Sequence, residues 1–209
     1  MKKNETLAKL RNGIVSAARN YSRKLTGRAF LYVFGNEYIE VVFLPENFLH
    51  LTGVGTNMKA GAFYRAAKRG ELSEHQISID PRNSDLPKRK IPRLIRLHEL
   101  TTREVAVLKD LRTATETYSI ALSDLEISVG MYKHGKTYSP QTMRVRDKAF
   151  ENSSGGEIVD FIFARQYGET KYTACTFQDP AKEIPATILP LLDPALADGS
   201  APTTAPPAP

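Results

Sequence analysis

Two β-rich runs, 28–34 and 37–44, are joined by Gly35-Asn36. A Gly-Asn pair between runs of aromatic and β-branched residues marks a two-residue hairpin, so the fold has to be built around an early antiparallel pair. In the second run Ile39, Val41 and Phe43 share one face, while Tyr38, Glu40 and Val42 share the other. Both faces carry apolar residues, which predicts at least partial cover on both sides. Pro45 has no amide hydrogen and ends the pairing. The chain then enters Phe48-Leu49-His50-Leu51-Thr52-Gly53. Read as extended backbone, this cluster puts Leu49 and Leu51 on one face and His50 on the other. An imidazole held at a strand end serves proton transfer, and it equally fills a polar rim.

The flanking segments add helices. Leu7, Leu10, Ile14, Val15 and Ala18 recur at three- and four-residue steps over 5–25, with lysines and arginines mainly around the other faces. Residues 57–69 predict a second, cationic helix capped by Asn57, with Phe63 and Ala66 inward and Gly70 as its stop. Tyr64 falls on its partly polar side, free to stack or to donate a hydrogen bond. Residues 80–90, polar and broken by Pro81 and Pro87, read as a loop. Helical spacing then predicts two helices over 91–100 and 102–112, and His98 near the end of the first reads as structural.

From Tyr118 the pattern alternates. Strands are expected over 118–122, 125–131, 157–164 and 171–177, with turns at 152–156 and 167–170. Short strands with brief connections predict an antiparallel sheet. The expected architecture is therefore α+β, one domain over 1–182. Beyond it, prolines and alanines almost without charge predict a largely disordered tail over 183–209, docked at most through Ile188, Leu189, Leu191 and Leu192.

Charge narrows the partners. The formal net charge is +6 and the sequence pI about 9.4, which favours polyanions, nucleic acid before an anionic membrane surface. Lys88, Arg89, Lys90, Arg93 and Arg96 form the densest basic cluster, and Arg144, Arg146 and Lys148 form a second. Cys175 is the single cysteine, so neither an intrachain disulfide nor a cysteine-based zinc site can form. The N-terminal lysines lead into no apolar stretch like that of a signal peptide, and no apolar run approaches the roughly 18 residues of a membrane helix. A cytoplasmic protein with no membrane partner is expected.

Catalytic motifs are sparse. No Gly-x-Gly-x-x-Gly fingerprint and no Gly-x-Ser-x-Gly elbow occur, and no phosphate-binding loop is expected. The four histidines do not fall at metal-ligand spacing, and no carboxylate cluster suits a two-metal nuclease. No metal or other cofactor is expected. The remaining inventory of isolated His, Tyr, Thr, Arg and Lys suits metal-independent RNA cleavage. That reaction needs a base for the ribose 2′-hydroxyl, an acid for the leaving 5′-oxygen and cations for the phosphorane. The same inventory suits plain nucleic-acid binding, which composition alone favours over cleavage.

The segments Tyr32-Val33-Phe34, Tyr38-Ile39-Glu40-Val41-Val42-Phe43 and Glu46-Asn47-Phe48-Leu49-His50-Leu51-Thr52-Gly53 resemble the start of the phage barnase–EndoU–colicin–RelE-like nucleases, fourth subgroup. Ala62-Phe63-Tyr64-Arg65-Ala66-Ala67-Lys68-Arg69-Gly70-Glu71-Leu72 resembles the helix that follows in that family. The resemblance covers about 28–100; the strands beyond agree in character only. It implies helices packed on a twisted antiparallel sheet of the barnase/RelE kind, RNA as substrate and no metal. Within it, His50 is the expected acid or base, Thr52 orients it or contacts phosphate, and Arg144 assists at the scissile phosphate with Arg146 and Lys148. Tyr64 would stack a base, Thr176 is a weak further candidate, and Lys88, Arg89, Lys90, Arg93 and Arg96 would form an outer electrostatic track. The expected function is an endoribonuclease, a toxin or phage-derived effector, with an antitoxin or other protein as a further partner. A non-catalytic nucleic-acid-binding module and a protein-interaction factor remain open beside it.

Overall fold

The computed structural model describes residues 2–146 and 148–197. The N-terminal helix α1 (Lys2–Lys24) buries Leu10, Ile14, Ala17, Ala18 and Tyr21 along one stripe. Gly27, at φ 77, then turns the chain into β1 (Arg28–Phe34). The hairpin with β2 (Glu37–Val42) forms as the Gly-Asn signal predicts, in register Phe34–Glu37 to Ala29–Val42. Gly35 at φ 55 supplies the left-handed turn residue.

Next come the short helix α2 (Phe48–Thr52), α3 (Ala60–Arg69), and α4 (Leu86–Leu94). Seven strands follow: β3 (Ala106–Arg112), β4 (Thr117–Ser123), β5 (Ile127–His134), β6 (Thr137–Val145), β7 (Gly155–Ile158), β8 (Phe161–Gln166) and β9 (Ala174–Gln178). A last short helix, α5, spans Pro194–Ala197. The nine strands of the described residues form one sheet in the order β7-β3-β4-β5-β6-β2-β1-β8-β9. Its pairs are antiparallel except β2 with β6, which joins the two halves in parallel at Glu40–Thr137 and Val41–Tyr138.

The structure corrects several expectations. Residues 106–112 form a strand, where helical spacing suggested a helix. Val105, Val107, Leu108 and Leu111 satisfy both periods, and pairing with β4 and β7 decides between them. Part of the expected loop 80–90 is the first half of α4, because Pro87 sits in the first helical turn, where a missing amide costs nothing. The helix expected over 91–100 stops at Leu94, the end of α4, and Leu97–Thr101 is a 3-10 turn. Gly155 and Gly156, expected in a turn, belong to β7. The pattern Gly130-Met131-Tyr132-Lys133-His134-Gly135-Lys136-Thr137 does spell the spacing of a phosphate-binding loop, against the expectation. That loop requires a strand running into a helix; here the pattern crosses the β5–β6 hairpin, so no helix N-terminus faces it.

The sheet is covered differently on its two faces. Helices α1–α4 share one core with the inward residues of β1–β6 and β8, including Ile14, Tyr32, Phe43, Phe48, Leu51, Phe63, Val107, Leu122, Val129, Met143 and Ile162. On the outer face, Leu31, Val33, Phe161 and Phe163 pack under Ile188, Leu192 and Leu196. Residues 184–197 are thus held on the domain, with the Tyr172 amide donating to the Leu191 carbonyl and the Asp193 amide donating to the Tyr172 carbonyl. Ile188 is fully buried and Leu192 nearly so, while Leu189 stays exposed. The remainder of the expected tail, 198–209, lies outside the described residues. Among the described residues, no helix is long and apolar enough to cross a membrane.

Candidate functional site

His50 stands on helix, not strand. Pro45–Asn47 makes a 3-10 turn after β2, with the Asn47 side chain accepting from the Leu44 amide at 3.1 Å. The turn feeds α2, where a helical step replaces alternation. Phe48 and Leu51 are fully buried, Leu49 partly, and His50 faces solvent. Phe48 anchors the helix in an aromatic nest, its ring 5.3 Å from Tyr21 and 5.4 Å from Tyr64. Thr52 is fully buried; its hydroxyl donates to the Leu49 carbonyl at 2.7 Å and accepts from the Val54 amide at 3.2 Å. Those bonds close the helix end, so Thr52 supports the turn that presents His50 and does not itself face a ligand.

Lys90 is the residue that sequence reasoning placed wrongly. Expected on an outer track, it is only 7% exposed and lies on the inward stripe of α4 with Pro87, Ile91 and Leu94. Its aliphatic stem packs on Gly53, where an added Cβ would come within 3.0 Å of the lysine Cδ. Gly53 also holds φ 75 at the end of α2. This position therefore needs glycine for conformation and for close approach. Burial, with Arg144 and Arg89 nearby, pushes the Lys90 ammonium down to about 8. α2, α4 and β6 are mutually adjacent, so His50, Lys90 and Arg144 come from three elements that meet at one seam. The signal for Lys90 was available: position 90 falls on the 87/91/94 apolar face.

The other basic residues scatter. Lys88 and Arg89 are exposed, Lys88 paired to Asp85 at 2.7 Å. Arg93 is partly buried near Glu126, and Arg96 grips Glu99 through two bonds at 2.7 and 2.8 Å. Arg144 lies partly buried on β6 opposite Ser128. Arg146 follows at φ 50, a left-handed conformation unusual for arginine, with its amide bonded to the Glu126 carbonyl. Lys148 is exposed and pairs with Glu151. Tyr64 is corrected outright as a base-stacking platform. It is 4% exposed among Tyr21, Phe48 and Phe63, and reaching a base would require opening the helical layer. The Thr176 hydroxyl donates to the Ile162 carbonyl within the sheet. His98 is partly buried and its imidazole is pushed down by that burial, in keeping with a structural role. Among the described residues, no group of three or more His, Cys, Asp or Glu stands together as a metal site.

Helices α1–α4 on one side of a large, mainly antiparallel sheet define an α+β protein, with Lys90 and Arg144 on elements that meet at a helix–sheet seam. A family model described as the phage-Barnase-EndoU-ColicinE5/D-RelE like nuclease 4 matches residues 13–180. The chain belongs to that nuclease family. No curated protein and no solved structure matches it.

Proposed function

We propose that the protein is an endoribonuclease that cleaves RNA by attack of the ribose 2′-hydroxyl, without a metal, at the seam of α2, α4 and β6. The observation that carries this reading is Lys90: a nearly buried ammonium beside Arg144, packed on the glycine that ends the His50 helix. A nearly buried ammonium with a partly buried guanidinium near it matches the charge that builds on a pentacoordinate phosphorane. His50, exposed at the rim, takes the proton of the 2′-hydroxyl as base. Lys90, charged at neutral pH and loosely enough protonated to release its proton, donates to the departing 5′-oxygen. Arg144 balances the phosphorane, Thr52 positions His50 through the helix end, and Lys88, Arg89 and Arg146 extend the track along the RNA backbone. The products are a 2′,3′-cyclic phosphate and a free 5′-hydroxyl. A toxin or phage-derived effector acting in the cytoplasm, restrained by a protein partner, is the biological role this chemistry suits.

The test is cleavage of RNA in EDTA with mapped product ends. The intact protein should give cyclic-phosphate ends, and His50→Ala and Lys90→Met should each lower the rate at least a hundredfold. Undiminished cleavage by His50→Ala removes it from the mechanism. Salt-sensitive binding with no product from the intact protein favours the non-catalytic binding module.

A further inference from the structure

The outer face of the sheet is covered in two places and open between them. Residues 184–197 cover β1, β8 and β9, and Ala149 helps to close a small cluster over β3 and β4. β5, β6 and β2 lie between. Along β5, Ile127, Val129 and Met131 enter the helix-side core, so Gly130, Tyr132 and His134 point outward. Tyr132 is 50% exposed, and its ring lies 5.7 Å from that of His134. Tyr38 on β2, also half exposed, lies on this same face, because Ile39 and Val41 turn inward.

β4 begins at Thr117 and β5 runs to His134, yet their pairing stops at Ile120–Met131. Beyond that pair the strands part and leave a notch of about 280 Å³, lined by Glu116, Tyr118, Ser119, Tyr132 and Lys133 among others. One wall is fixed. The Tyr118 ring packs on the bare backbone of Gly130, where a Cβ would come within 2.7 Å of it, and the Tyr118 hydroxyl donates to Glu116 at 3.0 Å. The volume falls below the roughly 300 Å³ at which sites for drug-sized ligands begin, so the notch suits one planar group. Lys136 stands exposed at the same hairpin end, while Lys133, also exposed, turns to the other face with its ammonium 5.8 Å from the Tyr138 ring.

We infer that this notch takes an unpaired nucleobase of the RNA, stacked on Tyr132, with Lys136 against a flanking phosphate. The inference rests on the nuclease reading for its substrate and adds that the protein selects single strands. A base inside a duplex cannot offer its face to an aromatic side chain, whereas an unpaired base can, whatever its identity. Lys136 and the net charge of +6 complement the backbone.

Binding separates this proposal from catalysis. The intact protein is titrated into short, labelled 2′-O-methyl RNA, which lacks the attacking hydroxyl, as a single strand and as a duplex of the same sequence. Tyr132→Ala should weaken single-strand binding roughly tenfold and leave duplex binding within about twofold, and Tyr132→Phe should restore it. Ser119→Phe, which fills the notch and leaves Tyr132 in place, should give the same selective loss. Lys136→Ala should lower the salt dependence, which Tyr132→Ala should not. Wild-type single-strand binding by both Tyr132→Ala and Ser119→Phe, or equal losses on single strand and duplex, overturns the proposal. Selective binding by a protein that never cleaves natural RNA leaves the notch standing and removes the nuclease reading. Cleavage together with Tyr132-independent binding does the reverse.

Discussion

The two faces of the sheet bury comparable strands by different means. Under the helices lies one continuous core, where Tyr21, Phe43, Phe48, Phe63 and Tyr64 interlock at ring separations of 5.3–6.4 Å. The outer face is divided into an apolar patch roofed by residues 184–197, a smaller patch over β3 and β4, and an open polar strip between. Continuous packing fixes geometry, because a displaced side chain has nowhere to go. A divided surface leaves space for a ligand. The proposed chemistry stands at the edge of the first region and the proposed base-binding notch on the second, so rigidity and access are assigned to opposite sides of one sheet.

Unfolding measurements can break this comparison. Phe48→Ala should show the largest effect, a loss of about 3–5 kcal/mol in denaturant titration, because a fully buried ring leaves a cavity that its aromatic neighbours cannot fill. The same variant should also impair catalysis, since Phe48 anchors the His50 helix. Ile188→Ala tests the other side. A loss of about 2–4 kcal/mol with undiminished cleavage is expected if the roof is structural and remote from the seam. A loss near zero would reduce the 184–197 segment to a loosely applied strap.

Lys90→Met sharpens the contrast with the opposite sign. Folding lowers the Lys90 ammonium to about 8, so the unfolded chain binds more protons between that value and the ordinary lysine range near 10.5. The charged form therefore costs stability at pH 7, and the cost disappears as pH rises through that window. Lys90→Met should raise stability at pH 7 by on the order of 1–3 kcal/mol, gain progressively less between about pH 8 and 10.5, and lose cleavage. Melting temperatures across that pH range would show it. A variant that is destabilised at pH 7 would place Lys90 among structural ion pairs instead.

Much of the fold was legible because local rules and tertiary packing agree there. The Gly35-Asn36 hairpin, the buried stripe of α1 and the left-handed stop at Gly70 each follow from neighbours in sequence. The site was less legible. The alternation Leu49-His50-Leu51 fits extended backbone, but Phe48, Leu51 and Thr52 also fit a helical turn. The aromatic nest from α1 and α3 decides for the helix. Lys90 carried an apolar-face position in its spacing, which its neighbours Lys88 and Arg89 concealed.

By itself, then, the sequence determined the α+β class, the early hairpin, the basic balance and the family, all of which depend on residue type and short-range order. Only the tertiary structure decided that β2 pairs in parallel with β6 and that 184–197 roofs the outer face. It alone turned Tyr64 inward, enclosed Lys90 against Gly53, and parted β4 from β5 beside Tyr132. Those outcomes depend on which distant segments meet, and residues far apart in sequence carry no local mark of a contact that exists only when the sheet is complete.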